Sequence, residues 1–196
     1  MPRPPNPDVL PRLLEKGAEL IHRRGFNGCG VQDLTAAAGI PKGSFYNYFK
    51  SKEEFAVAIL DHYWSAIESN YIGVLNNDKI DPISRIKKHF SDLIGYHERW
   101  NFVFGCLNGN MAVELSAQSA AARAKIKSLL HIWTTALAEC LDAAKTKGQL
   151  PPTSETRDLS AALIEAFEGA VMAAKVDQGP KALRRFETLL LPKLLA

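Results

Sequence analysis

The chain has 196 residues, 46% of them hydrophobic and 23% charged, with a formal net charge of +3. This suits one or two soluble globular domains and excludes a disordered or fibrous chain. No apolar run is long enough to span a membrane, the proline-rich start from Met1 to Leu10 lacks the apolar core of a secretory signal, and three well-separated cysteines fit neither a disulfide framework nor a structural zinc site. The expectation is therefore a cytoplasmic protein with no metal and no cofactor.

In chain order, a first helix is predicted over roughly Val9 to Arg24, with Leu10, Leu13, Leu14, Ala18 and Ile21 at helical spacing and Gly25 ending it. Phe26 is expected to plug a small core, and Gly28 and Gly30 to form a loop. A second helix covers roughly Val31 to Ala38, with Val31, Leu34, Ala37 and Ala38 inward. Gly39 supplies a left-handed turn, and Pro41 suits the start of a third helix. Ser51 and Glu54 read as the capping box of a fourth helix reaching roughly Asn76. Further helices are expected near 81–98, 103–116, 120–147, 154–177 and 180–194, with no strand alternation. The fold class is all-α, with about nine helices. A helix-turn-helix module over 1–52 (core 9–52) precedes a sensing and dimerisation bundle over 53–196.

The second and third helices carry the clearest functional signal. Residues 1–52 hold eight Lys and Arg against four Asp and Glu, so the positive charge sits where phosphates would be met. A helix entering the major groove needs small residues near its start, then donors and flat side chains a turn later. Lys42, Gly43 and Ser44 supply the first set, and Tyr46, Asn47 and Tyr48 the second, while Phe45 and Phe49 face the core. Gln32 can reach a phosphate or a base, and Lys52 is placed to clamp a phosphate at the start of the fourth helix. Arg3 is a candidate for a minor-groove arm, and His22 is expected on the solvated or DNA-facing side. The partner is double-stranded DNA.

The block from Ala38 to Lys52, with Phe26 and Leu34 upstream, closely resembles the signature of the TetR family of bacterial transcriptional regulators. Gly30 departs from it, since many members place a capping Thr there. The resemblance implies no enzyme. It implies a homodimer on a palindromic operator, usually a repressor, released when a small-molecule inducer reaches the C-terminal bundle. It also implies that the last two helices form the dimer interface. Leu159, Leu163, Ala166, Ala170 and Ala173, then Leu183, Phe186, Leu189 and Leu190, give stripes consistent with that interface, or equally with intramolecular core.

In the bundle, Phe104-Gly105-Cys106-Leu107-Asn108-Gly109-Asn110 is the most pointed segment. Glycines weaken a helix unless something must approach closely or the helix must deform. It is similar to a TetR subgroup controlling detoxifying reductases, in which the cysteine of such a motif senses electrophiles or oxidants. Cys106 is thus the candidate sensing thiol, the alternative being a small packed side chain, and Lys175 its candidate companion, the alternative being a solvated lysine at a helix end. Cys29 is a second candidate thiol, and Cys140 reads as packing. A ligand pocket, if one forms, would draw on Trp64, Tyr96, Trp100, Phe102, Phe104, Trp133 and Phe167, although each taken alone reads first as core. His62, His89, His97 and His131 lack metal-ligand spacing. Two readings stay open beside electrophile sensing: reversible binding of a small apolar or unsaturated ligand, and a thiol-dependent enzyme.

Overall fold

The computed structural model describes residues 8–196, so Arg3 and the prolines around it lie outside the described residues. Regular structure among the described residues is entirely helical. α1 (Val9–Arg24) ends at Gly25, whose φ is 79°. α2 (Val31–Ala37) closes on Gly39, and α3 (Lys42–Phe45) follows with Pro41 as its N-cap. α4 (Lys52–Ile67) runs on as a π-helical turn (Glu68–Ile72) and a 3-10 turn (Gly73–Asn76), so the expected span holds while its winding changes.

α5 (Pro82–Arg99) is capped by Asp81, whose carboxylate accepts from the Ser84 amide at 3.1 Å. α6 (Leu107–Leu115) and α7 (Ala120–Thr146) follow. α6 starts four residues later than the periodicity suggests, because Asn101, Phe102 and Gly105 adopt positive φ and hold 101–106 as an irregular segment. α8 (Thr156–Asp177) ends at Gln178 in the left-handed region. α9 (Lys181–Arg185), a π-helical turn (Phe186–Leu190) and α10 (Leu191–Leu194) run together as one helical stretch. Counted that way, the described residues hold nine helices.

Packing divides the chain into two units: residues up to 65 together with 107–127, and 66–106 together with 128–196. These do not follow the expected division at residue 52. α6, most of α4 and the start of α7 belong with the N-terminal helices.

In the first unit, α1 packs on α2 and α2 on α3. Phe45, Phe49 and Phe55 form an aromatic cluster, with Phe45 and Phe49 each about 5 Å from the Phe55 ring. Leu13, Leu34 and Ala38 are buried as expected, but Ala37 is exposed and Thr35 takes an inward place, bonding back to the Val31 carbonyl. His22 is buried edge-on to Tyr63, which corrects the expectation of a solvated or DNA-facing side chain.

In the second unit, Phe90, Phe167 and Phe186 meet with ring centroids 5.0–5.3 Å apart and join α5, α8 and the last π turn. Arg85 is buried there, donating to the carbonyls of Leu75 and Ile80 and pairing with Asp78. No helix among the described residues is long and apolar enough to cross a membrane.

Candidate functional site

The reading face is built by a helix end and a rigid turn. Gly39 at φ 63° ends α2 with two backbone bonds, Gly39 N–H to the Ala36 carbonyl and Ile40 N–H to the Thr35 carbonyl, which fixes where α3 leaves. Burying Phe45 and Phe49 turns the opposite side of this segment outward. Gln32, Lys42, Gly43, Tyr46 and Asn47 are exposed, and Ser44 and Tyr48 are half-buried. Tyr46 is 57% exposed although large and aromatic, and its ring stands edge-on to Phe45. An exposed tyrosine braced by a core phenylalanine, beside an amide, a lysine and a glycine, can offer donors, acceptors and a flat face to base edges and phosphates.

Lys52 sits differently from the expected clamp. It is half-buried; its ammonium donates to the Phe26 carbonyl at 2.6 Å and lies 4.0 Å from the Phe26 ring centroid. It therefore fastens the loop between α1 and α2. Its first-turn neighbours show a shifted capping box. Ser51 accepts from the Glu54 amide as expected, but Glu54 reaches back to the Lys50 amide rather than to that of Ser51. Glu114 of α6 binds the same loop from another side and was not foreseen, since nothing local marks a carboxylate 88 residues away from the amide it meets.

Cys106 immediately precedes α6 and is half-buried. Its thiol hydrogen-bonds the Glu168 carboxyl on α8, whose pKa burial raises to about 7 even though the thiol's bond works to lower it. The sequence reading passes over Glu168. Lys175, the companion it names, is half-buried and lies seven residues further along α8, two turns on and on the same side of that helix.

Cys29 is 1% exposed with its thiol directed at the Leu20 carbonyl, and burial raises its pKa. That removes it as a second sensing candidate, because reaction needs access and thiolate character. Cys140 is packed, as expected, with burial pushing its pKa up to about 11.

The aromatic residues divide. Trp133 and Phe167 are buried in the second unit's core, and the Trp133 indole donates to His89 at 2.8 Å. Phe104 is buried against Trp100, which is 48% exposed. Tyr96 is half-buried and edge-on to Tyr71, and Phe102 is half-buried at φ 60°. Trp64 is buried and belongs to the first unit. A groove of about 310 Å³ on α8 and the last helical stretch is lined by Ala166, Ala170, Ala173, Ala182, Phe186, Leu189 and Leu190, with Arg185 as its one charged residue. No group of three or more His, Cys, Asp and Glu able to hold a metal occurs among the described residues.

Two family profiles match the chain. One, described as "Bacterial regulatory proteins, tetR family", covers residues 13–59, and one described as "Tetracyclin repressor-like, C-terminal domain" covers residues 82–190. The HTH-type transcriptional repressor DhaR of Mycobacterium sp. (strain GP1) is 32% identical over 95% of this chain and 92% of its own length. The HTH-type transcriptional repressor NemR of Escherichia coli (strain K12) is 27% identical over 87% of this chain and 86% of its own. The crystal structure of regulatory protein TetR from Rhodobacter sphaeroides matches with a TM-score of 0.88 at 27% identity, covering 95% of this chain and 98% of that one.

Proposed function

The chain belongs to the TetR family and is a DNA-binding transcriptional repressor, not an enzyme; from this premise we propose that it holds a palindromic operator as a homodimer and releases it when a small electrophile or oxidant reacts at Cys106. Gln32, Lys42, Gly43, Ser44, Tyr46, Asn47 and Tyr48 read the operator, with Lys52 positioning the module as well as lending positive charge. Two such heads engage half-sites about 34–36 Å apart, one turn of DNA. The observation that carries the inducer assignment is the Cys106 thiol bonded to the Glu168 carboxyl at the start of α6. Glu168 can take the thiol proton as sulfur adds to the β-carbon of an α,β-unsaturated carbonyl; the C=C π pair passes to the α-carbon, which takes the proton back from Glu168, leaving a thioether and a regenerated carboxylate.

Chain topology supports release. α4 begins among the residues of the reading unit and ends in the other, and α6 begins directly after Cys106. A coupling of about 1–3 kcal/mol between thiol modification and operator binding lowers affinity about 5–150-fold. The test is a titration of an operator selected by this chain from randomised DNA, before and after treatment with iodoacetamide, with Cys106→Ser alongside. Release of the wild type alone supports sensing at Cys106. Retention of operator by both proteins returns Cys106 to packing and leaves a reversibly bound ligand as the inducer.

A further inference from the structure

Glu114, in the last turn of α6, makes two bonds that burial of apolar surface does not require. Its Oε1 accepts from the Phe26 amide at 3.0 Å and its Oε2 from the Asn27 amide at 2.8 Å. Two successive amides converging on one carboxylate form a charge-assisted clamp. The loop admits it only because residue 25 is glycine: a Cβ there would stand 2.8 Å from the Glu114 Oε1, and the Gly25 φ of 79° disfavours any side chain. On the carbonyl side, Phe26 accepts from Lys52. The loop between α1 and α2 is thus held through its amides by α6 and through its carbonyl by α4.

α6 is also where the chain re-enters this unit. Cys106 is the last residue of the other unit and Leu107 the first of this one. We propose that Glu114 is a positioning residue for DNA reading, fastening α6 to the α1–α2 loop so that a change at the start of α6 reaches the reading helices. The Phe26 and Asn27 amides are the groups through which it acts, and Gly25 leaves room for its carboxylate. The assignment rests on the chain's DNA binding and holds whether or not Cys106 is the sensor.

Glu114→Gln is the informative change, because its amide nitrogen would face a backbone N–H in place of an acceptor. Gly105→Ala supplies an independent disturbance at the start of α6, since Gly105 stands at φ 71° and alanine resists that conformation. Operator affinity and the urea midpoint are measured for the wild type, each single variant and the double variant. Gly105→Ala is expected to weaken operator binding about tenfold when residue 114 is Glu and less than about threefold when it is Gln. The urea midpoint should fall equally in both backgrounds. Equal weakening in both backgrounds, or none in the wild type, overturns the proposal. If the double variant does not fold, Glu114→Asp, which withdraws the carboxylate by one methylene, takes the place of Gln, and the same two outcomes are read.

Discussion

His89 is fully buried in the second unit, with a hydrogen-bond partner at each ring nitrogen. A carbonyl can only accept and an indole N–H can only donate. Nδ1 therefore carries the proton, bonded to the Tyr71 carbonyl at 2.9 Å, and Nε2 accepts from Trp133 at 2.8 Å. Burial pushes its pKa from 6.5 down to about 4. A proton arriving at Nε2 would meet the Trp133 N–H and break that bond. The depressed value means that the unfolded chain takes the proton first. The stabilisation is complete above pH 6.5 and is lost as pH falls from there toward about 4. The loss amounts to about 3 kcal/mol. The urea midpoint of the wild type should fall over this window more steeply than that of His89→Gln, whose amide can make both bonds without titrating. Parallel curves for the two proteins would refute it. No local pattern marks this histidine's neutrality, nor the burial of His22, because partners at 18 and 44 residues' separation, as for His89, are set by helix packing. Glu168 carries no local mark of its role for the same reason, because helix packing brings the Cys106 thiol to it.

At the level of elements, the end of α2 was readable because its chemistry is local. Gly39 takes the left-handed conformation, and no atom lies within 4 Å of where its Cβ would be. A side chain therefore meets no steric clash, only backbone strain. Gly39→Ala should cost about 1–2 kcal/mol, and Gly39→Asn distinctly less, because Asn tolerates this region better. Urea denaturation of the two variants checks the order, and equal losses would show that the cost arises from contacts instead. The late start of α6 was not readable. Asn101 and Phe102 adopt positive φ without being glycine, so apolar spacing over 103–106 looked helical while the backbone was not. The π turn at Glu68–Ile72 was equally hidden, since it keeps helical spacing nearly intact, yet it belongs to the stretch whose Tyr71 carbonyl meets His89.

At the scale of the molecule, the stripes on the last helices separate into two populations. Leu163, Leu183 and Phe186 turn inward and form core, whereas Leu189 is 49% exposed and Leu190 37%; Met172 and Val176 of α8, outside those stripes, are exposed as well. Exposed apolar side chains beside a groove floored by alanines suit the close approach of a second copy, because small residues let helix backbones meet. Ala170→Arg would replace a small side chain that allows close approach by a bulky one and add a second guanidinium to a groove that already holds Arg185. Sedimentation should show a monomer with unchanged helical content. Operator affinity should then fall by about 100-fold or more, because two linked heads bind with an effective concentration that separate heads lack. The salt dependence offers an independent check, since counterions are released in proportion to the phosphates contacted. A lone head touches one half-site, so the slope of log affinity against log salt should drop to about half its dimer value. A variant that stays dimeric with the full slope would place the interface elsewhere on the chain. A monomer with unchanged affinity would mean that each head binds on its own, and that the palindrome is not read by a symmetric pair.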